Sequence, residues 1–241
     1  MFKAWSFLTA LSNLNSSFNK KEDEYENTLE GPNWLDVRTE DRLYKDRDPE
    51  VLVVGSGQAG LSIAARLKQQ NIDTLVIDKN ERVGDNWRNR YHSLKLHNQT
   101  HVNHLPYMPF PPTWPTYIPK DKLAGWFEYY AESMELNVWT KTTFISAEYD
   151  EAKKNWKVIL RLSNGNERIM KPKHIVMAVG VSSVPNRNKI PGMEGYKGRV
   201  IHSTDYSSGR DYKGKNVLVY GTGTSAHDVA QDLYVHGANV K

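Results

Sequence analysis

With 241 residues, the chain suits one large domain or two small ones, and 39% hydrophobic against 25% charged residues is the composition of a globular protein with a sizeable core. There is no cysteine, which excludes disulfides, thiolate zinc sites and a redox-active dithiol within these residues. The net charge of +4 comes from scattered rather than striped Lys and Arg, so a solvated surface is expected and no nucleic-acid partner.

Residues 1–49 read as two parts. Phe2 to Leu14 carries apolar residues at helical spacing (Trp5, Leu8, Leu11, Leu14), and Asn19 to Asp48 is charged and turn-rich, as in a linker. The opening Met1-Phe-Lys-Ala-Trp is a poor signal peptide, because Ser6 and Thr9 interrupt the apolar stretch and no small-residue cleavage site follows. No apolar run approaches the roughly 18 residues needed to span a bilayer, so no membrane partner and a cytoplasmic location are expected.

Residues 50–190 form the next unit. Val51-Leu-Val-Val54 runs into Gly55-Ser-Gly57-Gln-Ala-Gly60, an amphipathic segment (Leu61, Ile63, Ala64, Leu67) and a second apolar run, Thr74–Ile77, closed by Asp78. This strand, glycine turn, helix, strand and acid, with Asp78 23 residues after Gly55, is the pattern of a dinucleotide site. Gly55 permits the tight turn, Gly57 lets backbone N–H groups approach a diphosphate, Gly60 allows close helix packing, and Asp78 accepts from ribose hydroxyls. Residues 79–120 are irregular and dense in aromatics, prolines and histidines, the composition of a functional loop. His97, His101 and His104 have metal-like spacing, yet no carboxylate or Cys joins them, and no metal is expected. The Pro/aromatic stretch 105–119 reads as a rigid packed loop in preference to a polyproline ligand.

Asp121 is expected to cap a helix over Lys122–Met134, followed by a strand at Asn137–Thr140. Phe144–Tyr149 and Trp156–Leu162 alternate as strands, Ser163–Asn166 turns into a third, and His174–Ala178 has a buried-strand pattern ending near Gly180. Residues 191–213 are a Pro/Gly-rich crossover. Residues 214–241 repeat the first theme: a strand at Asn216–Tyr220, Gly221-Thr-Gly223-Thr-Ser225-Ala226, a helix over Ala226–Tyr234, and the start of a strand at Gly237–Val240. Two such turns 166 residues apart imply two nucleotides, most economically FAD and the nicotinamide nucleotide that reduces it. The fold class expected is α/β: a Rossmann-like FAD-binding domain with an antiparallel β-meander, then the start of a second Rossmann-like NADPH domain.

Across residues 49–241 the chain resembles the flavin-containing monooxygenases, class B flavoprotein monooxygenases. Tyr196-x-Gly198-x-x-x-His202-x-x-x-Tyr206 is similar to the family's identifying motif, with Tyr at the opening Phe position, and Ala178-Val-Gly180 resembles its Ala-Thr-Gly strand end. Arg90-Tyr91-x-x-Leu94-Lys95-Leu96-His97, Leu105-Pro106, Met108–Pro111 and Trp114–Tyr117 resemble the YUCCA-type branch and its fungal relatives. The resemblance implies that NADPH reduces FAD, O₂ adds to the reduced flavin, and a small nucleophilic or 2-oxo-acid substrate is oxygenated. It implies a cofactor-binding set of Gly55, Ser56, Gly57, Gln58, Ala59, Gly60, Asp78, Lys79, Gly84, Asn86, Trp87, His97, Gly180, Gly221, Gly223, Thr224 and Ser225, with His97 the candidate catalytic residue beside the flavin. His202, in the crossover, is expected either to couple the two domains or simply to cap and pack. The N-terminal helix resembles the end of an upstream accessory domain, and the brevity of residues 214–241 implies a fragment whose NADPH-selecting Arg lies beyond Lys241. A disulfide reductase shares both turns but needs the cysteines this chain lacks, and a non-catalytic dinucleotide-binding fragment remains a further alternative. Oligomeric state stays open.

Overall fold

The computed structural model describes residues 31–181, 184–187 and 190–241. The helix expected over Phe2–Leu14 and the first part of the linker lie outside these residues. The chain divides into two units, the second being Asp48–Lys241.

Within the first unit the linker expectation fails, because Trp34–Leu43 is a helix, α1. A capping box starts it: the Asp36 N–H donates to Asn33 Oδ1 at 3.1 Å, and the Asn33 N–H returns the bond to Asp36 Oδ2 at 3.0 Å. The helix ends at Tyr44 in the left-handed region (φ 48°) and buries none of its residues, so its capping chemistry supplies the order that a hydrophobic face supplies elsewhere.

The second unit is built on a four-stranded parallel sheet in the order β3-β2-β1-β7, with β1 Val51–Val54, β2 Thr74–Ile77, β3 Asn137–Trp139 and β7 His174–Met177. β1 lies in register with both neighbours, Val51 opposite Thr74 on one side and His174 on the other. Every residue of β1 and β2 is buried, as uninterrupted apolar runs in a parallel sheet require. Two helices form the core with the sheet: α2, Gln58–Gln69, and α4, Lys120–Ser133, with the four-residue α3, Asp85–Arg88, between them in sequence. The buried face of α4 is Leu123, Ala124, Phe127, Tyr130 and Ala131, a helical stripe packed with Leu61, Ala64 and Ala65 of α2. Asp121 does not cap α4. The N-cap is Pro119, a residue suited to a helix entrance, and the Asp121 carboxylate instead takes Lys120 Nζ at 2.7 Å.

β4 Thr143–Asp150, β5 Asn155–Arg161 and β6 Glu167–Met170 form the expected antiparallel meander. The β5–β6 turn places Gly165 at φ +84°, with the Asn164 side chain accepting the Asn166 N–H at 3.0 Å. β7 departs from its buried-strand pattern: it pairs with β1 alone among the described strands, and His174 and Met177 are exposed. The last module is β8 Asn216–Val217, α5 Thr224–Val235 and β9 Asn239–Val240, with the two strands parallel. β8 is shorter than the expected Asn216–Tyr220. Val219 still donates to the Lys241 carbonyl at 2.8 Å, but Leu218 and Tyr220 are uncovered, and a parallel strand needs cover on both faces.

Candidate functional site

The first glycine turn follows β1, and its glycines are required by contact with neighbouring backbone. Gly55 has φ +108°, and a side chain there would overlap the Ala178 carbonyl, just past β7. A Cβ on Gly60 would collide with the Gly55 carbonyl, so this position serves the loop's own closure as well as helix packing. Gly57 caps α2 and lies against Asn86, whose Nδ2 would stand 3.2 Å from an added Cβ. Gln58 and Ala59 open the helix, where N–H groups have no intrahelical acceptor. A cradle with no side chain at Gly57 and free donors at a helix start fits a diphosphate.

Asp78 holds the loop in place. Its Oδ2 accepts from both the Ser56 N–H (2.8 Å) and the Ser56 hydroxyl (2.7 Å), and Oδ1 accepts the Asn80 N–H at 2.8 Å. Ser56 is buried. Since each carboxylate oxygen has two lone-pair sites, Oδ1 retains one for a ribose hydroxyl. The Gln58 side chain donates to the Asn103 carbonyl at 3.2 Å, while Ala59 and Lys79 are exposed. Gly84 has φ +88°, and a side chain there would strike the backbone of Ala124 in α4. That closeness starts α3 and sets Trp87 against both apolar clusters of the unit. Gly180 has φ +78° with open space around it, so Ala178, not Gly180, is the residue brought against the glycine turn.

The second turn repeats the first in backbone. Gly223 caps α5 with φ −77° and ψ 170°, close to φ −78° and ψ −173° at Gly57. Gly221 has φ +136°, and its Cβ position lies 3.8 Å from the Ala226 side chain, so alanine is accommodated where the first turn demands glycine. Thr224 and Ser225 begin α5.

A polar network joins the two modules. Tyr91, buried, donates its hydroxyl to Asp228 Oδ2 at 2.6 Å, and His97 Nε2 meets the same oxygen at 2.8 Å. Burial first, then the Asp228 carboxylate, pushes the Tyr91 phenol well above its usual range. Beside it, Tyr206 donates to Asp232 Oδ2 at 2.6 Å, and the Gly209 N–H donates to the same oxygen at 2.7 Å. Tyr91, Leu94, Tyr206, Val229 and Leu233 form one buried cluster. Asp228 and Asp232 were missed from sequence, because acids on an amphipathic helix ordinarily face water. Their spacing of four along α5 is the signal that places them on one face.

His202 takes the capping role. Its Nδ1 accepts the Thr204 N–H at 3.2 Å, and the contact with the second module belongs to Tyr206. The three spaced histidines part company: His97 pairs with Asp228, and His104 Nδ1 accepts the Phe110 N–H at 2.9 Å. Among the described residues no group of three or more His, Asp or Glu is arranged to hold a metal. The aromatic loop is packed, with Phe110 stacked on Trp114 at 5.2 Å and Trp114 edge-on to Trp126 at 5.2 Å.

Residues 52–241 match the pyridine nucleotide-disulphide oxidoreductase family. A probable indole-3-pyruvate monooxygenase, YUCCA3 of Arabidopsis thaliana, is 35% identical over 193 residues, covering 78% of this chain and 44% of the relative. The chain spans about half the length of the curated relatives it matches. Among solved structures, a flavin monooxygenase from Stenotrophomonas maltophilia superposes with a TM-score of 0.72 at 21% identity, covering 80% of this chain and 56% of that one. A bacillithiol disulfide reductase from Bacillus cereus gives 0.70 at 23% identity, over 80% and 57%. At these identities the two structures establish the shared fold.

Proposed function

Because the chain belongs to the pyridine nucleotide-disulphide oxidoreductase family and, within it, to the class B flavin monooxygenases, which use FAD and NADPH, we propose that it supplies the FAD cradle and the NADPH turn of an oxygenase acting on a small 2-oxo acid or soft nucleophile. The observation that carries this reading is the pair of glycine turns with matching N-cap backbone at Gly57 and Gly223, tied together through Tyr91, His97 and Asp228. The 2-oxo acid is favoured by the names of the plant relatives, indole-3-pyruvate monooxygenases. A cytoplasmic setting, where NADPH is supplied, completes the proposal.

Bound in the cradle, FAD would supply the redox chemistry, as hydride acceptor and activator of O₂. The protein's part is binding, orientation and exclusion of water. The first turn's backbone N–H groups would receive the FAD diphosphate, and Asp78 would offer its free lone pair to the ribose. Asn86 and Trp87 border that turn, and Gly221, Gly223, Thr224 and Ser225 would receive the NADPH diphosphate. His97 is the side chain able to hold or move a proton near the flavin. No side-chain nucleophile or metal enters the scheme. A disulfide-reductase reading needs a dithiol that these residues do not contain.

The test is a titration of the purified chain with FAD, read by quenching of flavin fluorescence, then anaerobic addition of NADPH. Saturable binding that a Gly57→Val substitution abolishes is the expected result. Failure of the chain to take up FAD at all would refute the reading. Oxygen uptake with a 2-oxo acid compared with an amine and a sulfide decides the substrate class.

A further inference from the structure

The Asp228 carboxylate is shared by two donors on one oxygen, the Tyr91 hydroxyl at 2.6 Å and His97 Nε2 at 2.8 Å. An ionised carboxylate has no proton to give, so Nε2 must carry the hydrogen. In a neutral imidazole that leaves Nδ1 as a bare acceptor. The phenol's one proton goes to Asp228. The directions therefore run from Tyr91 to Asp228 and from His97 to Asp228, both set by the one member that can only accept.

The positions matter as much as the directions. Ser225 is the second residue of α5, at the end that the NADPH diphosphate would meet, and Asp228 follows one turn later. Tyr91 is buried, whereas the His97 side chain is about half exposed (47%) and, among the described residues, is oriented by a hydrogen bond to Asp228 alone. A half-exposed imidazole with no anchor samples both tautomers and turns about its side-chain bonds.

We propose that Asp228 is a positioning residue, which holds His97 in the Nε2–H tautomer with Nδ1 presented as the working acceptor, and that this pairing ties the orientation to α5, the helix opening the second nucleotide turn. The chemistry assigned to Nδ1 rests on the flavin monooxygenase reading above; the tautomer does not.

The experiment is nitrogen-15 NMR of histidine-labelled protein at alkaline pH, where imidazoles are neutral, with Asp228→Ala, Asp228→Asn and Tyr91→Phe compared with wild type. Wild-type His97 should show protonated Nε2 and unprotonated Nδ1. Asp228→Ala should give an averaged mixture, and Asp228→Asn, whose amide oxygen still accepts, should restore the Nε2–H form. Tyr91→Phe should keep the tautomer, since Asp228 remains. In turnover, kcat should fall about 100-fold in Asp228→Ala, the lower range for a disturbed proton-transfer group, and recover largely in Asp228→Asn. An Nδ1–H tautomer in the wild type overturns the proposal even if every variant unfolds, as does a wild-type tautomer retained in Asp228→Ala. A chain that binds no flavin would sink the monooxygenase reading while leaving the tautomer measurement intact.

Discussion

Gly60 shows how the lack of one side-chain carbon shapes the site. A Cβ there would meet the Gly55 carbonyl, which is backbone and cannot swing aside. Gly60→Ala should destabilise the chain by about 1–3 kcal/mol, as for other overpacked sites, and weaken FAD binding in parallel; urea denaturation and flavin titration read the two effects. At the corresponding place in the second turn, Ala226 is already present without conflict. Tyr130 makes a different residue-level statement. Its phenol donates to the Pro106 carbonyl at 2.9 Å, and burial pushes its pKa up from 10.0 to about 12. The folded state therefore favours the neutral phenol. Its stabilising contribution is complete below pH 10 and disappears as pH rises from 10 to 12. Tyr130→Phe should flatten part of the alkaline loss of stability measured by denaturant midpoint across that range; Tyr91 and Tyr206, shifted in the same direction, retain the rest.

At the scale of elements, a buried charge secures the entrance of α4. Lys120 is buried, and its ammonium donates to the Arg88 carbonyl at 2.9 Å and to Asp121 at 2.7 Å, joining the end of α3 to the start of α4. Lys120→Met keeps the length but leaves the carbonyl without its donor, so a loss of about 1–3 kcal/mol in thermal or urea unfolding is expected. The strands β1 and β2 and the helix α2 were legible because apolar runs, a glycine turn and a 3.6-residue stripe coincide there. The meander was legible from alternation, down to its Ser163–Asn166 turn. By contrast, α1 was read as linker, because its ten residues bury no apolar face and only the Asn33–Asp36 pairing marks it.

For the molecule as a whole, a ligand that binds the folded chain alone should stabilise it by mass action. FAD at 100 times its dissociation constant should contribute about 2.7 kcal/mol, seen as a higher thermal midpoint that Gly57→Val no longer shows. A midpoint indifferent to FAD would count against the cradle. The cluster of Tyr91, Leu94, Tyr206, Val229 and Leu233 packs the stretch after β2 against α5, so order gained at one nucleotide turn has a physical route to the other.

The amino-acid order alone carried the α/β class, both glycine turns, Asp78 and the family resemblance, because each rests on local spacing along the chain. Contacts between distant segments carried the rest. Gly60 answers to a carbonyl five residues back, Gly55 to Ala178 across the sheet, and His97 to Asp228, 131 residues away. His202, prominent in the motif, caps its own turn, while Tyr206 makes the contact across. Spacing puts Asp228 and Asp232 on one face of α5, but that this face turns inward depends on the buried hydroxyls and the imidazole that folding brings to meet it.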